Sequence, residues 1–201
     1  MLFALAGTGV AYSIFTAPGY IYTTVNTGTV SAEWGLSGSD LVIHQLSMPA
    51  YATISGYRGP TYNYEATLTV ANYYPGAEGV VGLKLDNTGS LPYQVKSMTV
   101  NVGSDPDGLE DVLYLAIPGT DNVGQDTWAS TYLNVYFYDT LRNWDGYTLN
   151  YAANSVPQYD IAAGHWQALY AYLKMDPNAG NAYMGKTVVF TITLTVEQAV
   201  P

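Results

Sequence analysis

Along most of this chain apolar positions alternate with polar ones in short runs, a period of two that predicts β-strands. The clearest run is "TVVFTITLTV", Thr187–Val196. Val188, Phe190, Ile192, Leu194 and Val196 share one face, and Thr187, Thr191, Thr193 and Thr195 dominate the other. That is the signature of an antiparallel sheet with one side on a core. Further strands are expected at Tyr20–Val25, Asp40–Leu46, Tyr64–Ala71, Val80–Asp86, Tyr93–Val102, Val112–Ile117, Tyr132–Asp139 and Trp166–Met175. Pro75-Gly76 and Asn87–Ser90 read as turns, because proline presets φ while asparagine and glycine accept left-handed backbone. The alternation in Tyr93–Val102 slips phase near Ser97, which predicts a β-bulge. Asp139–Tyr159 is irregular and aromatic and reads as a surface excursion. Helical periodicity is scarce, so the chain reads as an all-β, jelly-roll-like β-sandwich.

The opening "MLFALAGTGVAYSIFTA" breaks the alternation, with seventeen residues and no charge. Leu2, Ala4, Ala6, Val10, Tyr12 and Ile14 fall on one side in extended form. Phe3, Leu5 and Phe15 fall with small residues on the other. Both sides are apolar, as in a buried strand. Gly7, Thr8 and Gly9 disfavour a helix. No basic region precedes the run as in an export signal, and it is shorter than the ~20 residues of a stable membrane span. It reads as a donor strand that completes another copy or as this domain's own first strand, with an anchor or a processing remnant as the remaining alternative. Sixteen extended residues reach ~50–58 Å, more than the ~40 Å diameter of a compact chain of this length.

Composition narrows the function. Hydrophobic residues make up 48% and charged residues 11%, and the formal net charge is -10. Nucleic acid is not an expected partner, because phosphate recognition needs clustered Lys and Arg. There is no Cys, hence neither a disulfide nor a thiolate metal site. The twenty Tyr suit half-buried sheets and contact surfaces.

Candidate chemistry is thin. His44 and His165 are the only histidines, neither lies in an HExxH sequence, and both read as ordinary strand residues. "SDPDGLED" offers Asp105, Asp107, Glu110 and Asp111 as a weak Ca²⁺ candidate, although the EF-hand spacing is absent and a solvated acidic turn fits better. Trp128, Trp144 and Trp166 could stack on sugars if they shared a groove. No catalytic residue, cofactor or enzymatic activity is expected.

Three stretches together resemble the TasA/camelysin family of secreted fibre proteins. These are "PGAEGVVGLKLDNTGSLPYQV" (Pro75–Val95), "IAAGHWQALYAYLKMDPNAGNAYMGKTVVFTITLTVEQ" (Ile161–Gln198) and "GTGVAYSIFTA" (Gly7–Ala17). They cover about a third of the chain; Gly103–Tyr159 has no counterpart. Apolar residues upstream of Ala11, the position matching the processing point of bacterial members, favour the archaeal relatives that assemble into bundling pili. The resemblance implies a jelly-roll subunit of an extracellular, cell-surface filament, a pilus or biofilm-matrix fibre. Such subunits polymerise head to tail with copies of themselves by donor-strand complementation.

On that reading residues 1–17 form the donor segment, with Leu2, Phe3, Ala4, Leu5, Ala6, Val10, Tyr12, Ile14 and Phe15 inserted, and 18–201 form one β-sandwich domain. The acceptor groove would include Val188, Phe190, Ile192, Leu194 and Val196. Tyr132, Tyr136, Tyr138, Trp144 and Tyr147 would make lateral contacts, including bundling with neighbouring filaments. The alternative is a secreted jelly-roll binding module, lectin-like or capsid-like, with its own N-terminal strand.

Overall fold

The computed structural model describes residues 32–35, 41–45, 53–58, 65–118 and 135–199; at 32–58, 117–118 and 135–136 it describes the backbone alone. The donor segment, the expected strand Tyr20–Val25, Trp128 and Tyr132 lie outside the described residues.

The described residues hold eleven strands. They are β1 (Ala32–Gly35), β2 (Leu41–Gln45), β3 (Thr53–Arg58), β4 (Glu65–Ala71), β5 (Glu78–Asn87) and β6 (Tyr93–Ser104), then β7 (Leu113–Pro118), β8 (Val135–Thr140), β9 (Thr148–Asn150), β10 (Trp166–Met175) and β11 (Thr187–Gln198). All named pairings are antiparallel. Sheet 1 runs β5-β10-β7-β8, and sheet 2 runs β4-β11-β6-β9. Assigning β4 through β11 to these sheets in chain order gives two interlocked Greek keys, a jelly roll. Three short strands extend it. β3 lies outside β4, while β1 and β2 share the outer edge of β5 in tandem, at Lys84–Asn87 and Gly79–Leu83.

One core lies between the sheets. It contains Val81, Leu83 and Leu85 of β5, Leu169, Leu173 and Met175 of β10, Met98 and Val100 of β6, and Val188, Phe190, Ile192 and Leu194 of β11. The alternation of β11 thus reports its buried face correctly. Its threonine face pairs across strands, with Thr191 and Thr67 in register and their hydroxyls 3.1 Å apart.

Turn chemistry sets the register. Tyr74–Ala77 closes with the Ala77 N–H on the Tyr74 carbonyl at 2.9 Å, with Pro75 and Gly76 central. Gly76 has φ 82°, so this is a type II turn that only a residue without Cβ enters freely. Tyr183–Lys186 repeats the arrangement around Gly185, at φ 73°. The expected bulge is present. Thr195 pairs with Ser97 and Val196 with Val95, leaving Lys96 as the extra residue. The buried positions of β6 change parity there, from Tyr93 and Val95 to Met98 and Val100.

Asp139–Tyr159 differs from expectation. It carries a helical turn, Leu141–Trp144, and β9, and it buries Leu141, Trp144, Leu149, Tyr151 and Val156. No helix among the described residues is long and apolar enough to cross a membrane.

Candidate functional site

The five residues proposed to line an acceptor groove do not face open space. β11 is flanked by β4 and β6 on both edges. Val188, Phe190 and Ile192 are fully buried, Leu194 is buried and Val196 partly so, all against the core. The reason is topological: a central strand of a jelly roll spends both its edges and its inward face inside the fold.

The lateral-contact residues separate in the same way. The Tyr136 side chain lies outside the described residues. Tyr138 is 46% exposed and stacks on Tyr114 with ring centroids 4.9 Å apart. Tyr147 is half-buried and stacks on Phe137 at 5.1 Å. Trp144 is no surface contact at all. Thr140 caps the helical turn by accepting from the Asn143 N–H, and the turn carries Trp144 inward. There its indole N–H donates to the Leu115 carbonyl at 2.9 Å, and Phe137 meets it edge-on at 4.7 Å. An aromatic cluster therefore closes this end of the sandwich.

The acidic turn is committed elsewhere. Asp105 accepts from the Leu109 and Glu110 N–H groups at 2.9 and 2.6 Å. Asp107 pairs with Lys186 at 2.9 Å, and Glu110 with Arg142 at 2.8 Å. Asp111 also pairs with Arg142, whose hydrogen bond holds this carboxyl below its ordinary value. The oxygens that a Ca²⁺ ion would need tie the β6–β7 connection to the helical turn and to the start of β11. Among the described residues, no group of three or more His, Cys, Asp or Glu is arranged to hold a metal. The two histidines sit at opposite ends of β5. His44 pairs with Val80, and the His165 carbonyl accepts from the Asn87 N–H. Seven residues of strand separate them by about 23 Å, too far for one ion. Trp166 lies on the outer face of sheet 1 with the Lys84 ammonium 5.6 Å from its ring centroid, so it shares no platform with Trp144 in the core.

Two features escaped the sequence reading. The first is the outer face of sheet 1. Val80, Ala168 and Tyr170 form a second buried cluster apart from the core, with Trp166 and Tyr172 packed against it. In register, Tyr170 lies opposite Gly82, while Val80, Tyr172, Ala116 and Tyr138 make one row across four strands. Glu78 and Lys174 border the row as an ion pair at 2.6 Å. The Lys174 hydrogen bond, helped by one from Tyr172, keeps the Glu78 carboxyl below its ordinary value. Sheet 1 is thus apolar on both faces, a pattern expected of a sheet covered on both sides.

The second is a small recess at the rim of the sandwich, lined by Leu85, Val95, Tyr151, Ile161, Leu169 and Gln158 among others. The bulge at Lys96 helps to build it, since the Lys96 carbonyl accepts the Tyr151 N–H at 3.1 Å. Asn87 braces the opposite wall by donating to the Leu91 and Ile161 carbonyls at 2.9 and 2.7 Å. Gln158 donates to the Val95 carbonyl at 2.9 Å. The Tyr151 hydroxyl is buried and has no hydrogen-bond partner among the described residues. Burial pushes its pKa well up.

No family model and no curated protein matches the chain. Among solved structures it is similar to the enzymatically active domain of tailspike protein 4 from bacteriophage CBA120. That match has 10% identity and a TM-score of 0.33, over 78% of this chain and 20% of that one. A likeness of that size carries no functional argument.

Proposed function

We propose that this protein is a non-enzymatic structural subunit of an extracellular filament, of the TasA-like kind, assembled head to tail by donor-strand complementation. The observation that supports the reading is the opening of the chain, seventeen uncharged and largely apolar residues, beside a jelly roll whose described core is filled by its own strands. About eight apolar side chains of that opening, buried at ~1.5–3 kcal/mol each, offer on the order of 12–24 kcal/mol of gross driving force. Ordering costs about 1–2 kcal/mol per backbone residue, so the pairing is favourable only when it is long and dry. A head-to-tail contact of this kind does not close on itself and propagates as a fibre.

Electron microscopy of the purified chain tests the reading. Fibres are expected, and full-length Leu5→Asp, Val10→Asp and Ile14→Asp should each abolish them while the chain stays folded by circular dichroism. Discrete particles from the unaltered chain, or undiminished fibres from all three variants, overturn it.

A further inference from the structure

We propose that Tyr114 and Tyr138 are an oxidative modification site, where a carbon–carbon bond between their stacked phenols makes a dityrosine that staples β8 to β7 within one chain. The register brings the pair together. Tyr114 of β7 lies opposite Thr140, and Ala116 lies opposite Tyr138. Tyr114 and Tyr138 are therefore diagonal neighbours on one face of sheet 1, a spacing that aromatic side chains bridge. Side chains of paired strands stand away from the sheet together, so both hydroxyls point the same way. The rings lie 9° from parallel with centroids 4.9 Å apart, an offset stack that brings their edges into contact.

Access and need agree. Tyr138 is the most open tyrosine among the described residues, at 46%, whereas Tyr73, Tyr93, Tyr151 and Tyr170 are buried. An oxidant from solution meets Tyr138 first, and Tyr114 is the phenol against it. β8 ends sheet 1 among the described residues and is held there through β7 alone. The chain has no Cys, so no disulfide can fasten that edge. A bond between the two tyrosines closes the 115–137 stretch into a loop and removes freedom from the unfolded chain, as a disulfide does.

The chemistry balances with hydrogen peroxide, acting through a haem peroxidase, as the oxidant. Each phenol gives up one electron and its hydroxyl proton, the Tyr114 electron leaving across the stack. The two phenoxyl radicals form one bond between ring carbons ortho to their oxygens. Each joined carbon then releases its hydrogen as a proton, and each oxygen regains one. Two hydrogen atoms leave in all and reduce one peroxide to two waters. Such an oxidant belongs to an extracellular setting, but the bond does not depend on filament assembly.

The test treats the full chain, dilute and unassembled, with a haem peroxidase and hydrogen peroxide. Dityrosine fluorescence is read on the fraction that keeps the mass of one chain. Digestion at aspartate separates the two tyrosines, because Asp121 and Asp126 lie between them. The expected product is a peptide pair joined through Tyr114 and Tyr138 and lighter by two hydrogen atoms. The oxidised chain should also melt at a higher temperature than the untreated one. Tyr114→Phe and Tyr138→Phe keep both rings and should each abolish the single-chain signal. Links only between chains, links spread evenly over other tyrosines, or no links overturn the site. An undiminished signal from either variant does the same, and an unchanged melting temperature overturns the staple. The peptide map of the unaltered chain decides the matter even if a variant misfolds.

Discussion

Raising the pH above the ordinary tyrosine range should unfold this protein steeply, and the slope can be worked from three side chains. Tyr73 and Tyr93 are fully buried, and Tyr151 is 3% exposed. Burial is the largest cause of a strongly raised pKa at all three, with Tyr172 adding at Tyr73 and Asp86 adding at Tyr93. The Tyr93 hydroxyl also donates to the Asp86 carbonyl at 3.1 Å, a bond that ionisation would break. In the unfolded chain each phenol ionises near pH 10. A folded-state pKa above that value means stability is fully present below pH 10 and lost as pH rises past it. Each such group then removes about 1.4 kcal/mol per pH unit, so three together remove about 4 kcal/mol per unit. Against a typical total of about 5–15 kcal/mol, roughly one to four units suffice, and even one unit lowers the urea midpoint markedly. The assay is urea unfolding followed by circular dichroism from about pH 8 to about pH 11, with tyrosinate absorbance recorded in parallel. Tyr93→Phe should reduce the slope by about a third. If all twenty tyrosines ionise near pH 10 with the near-ultraviolet spectrum intact, the burial argument is wrong.

Trp144→Ala should lower stability by about 3–5 kcal/mol in denaturant melts, since it empties a core site and strips the Leu115 carbonyl of its donor; a loss typical of a surface residue would contradict the inward placement. Asn87→Ala should cost about 2–4 kcal/mol by removing the side-chain donor to the Leu91 carbonyl, one of the two donors to the Ile161 carbonyl, and the acceptor of the Gly89 N–H. Asp105→Ala should cost about 1–2 kcal/mol equally in calcium and in chelator; a loss seen only with calcium would restore the metal reading of the acidic turn. Gly185→Ala should cost about 1–2 kcal/mol, because φ 73° strains any residue with a Cβ although nothing crowds the site.

How much of this was legible depends on whether the cause was local. β11 could be read because its period of two spans its whole buried face, and the Lys96 bulge because a phase slip is a local event. The Pro75-Gly76 turn was legible for the same reason. β1, β3 and β9, at three to six residues, are too short for periodicity to separate from loop, and they exist through pairing to β5, β4 and β6. Trp144 was misread because its burial depends on the Leu115 carbonyl, 29 residues away. The acidic turn was read as a solvated turn, but its pairing with Arg142 and Lys186 could not be read because these arrive from distant elements. The outer face of sheet 1 did leave a trace. "WQALYAYLKM" is nearly continuous in apolar character, which signals a strand covered on both sides. Tyr151 left none, since an unpartnered hydroxyl is defined only by what surrounds it.

Where a neighbouring chain can attach is constrained by the edges. A strand can be added only to an edge with free N–H and C=O groups, and native sheets block most such edges. The outer edge of β6 is blocked along its length. Ile161 exchanges both backbone bonds with Tyr93, β9 takes Ser97–Thr99, the backbones of Gly146 and Tyr147 engage Val100, and the Asp145 carboxylate caps the Val102 N–H. β11 and β10 are central, and β1 and β2 occupy the far edge of β5. What remains among the described residues is the outer edges of β1, β2 and β8 in sheet 1 and of β3 and β9 in sheet 2. On the filament reading an added strand has to pair at one of these edges, because every other described strand already has both of its edges taken.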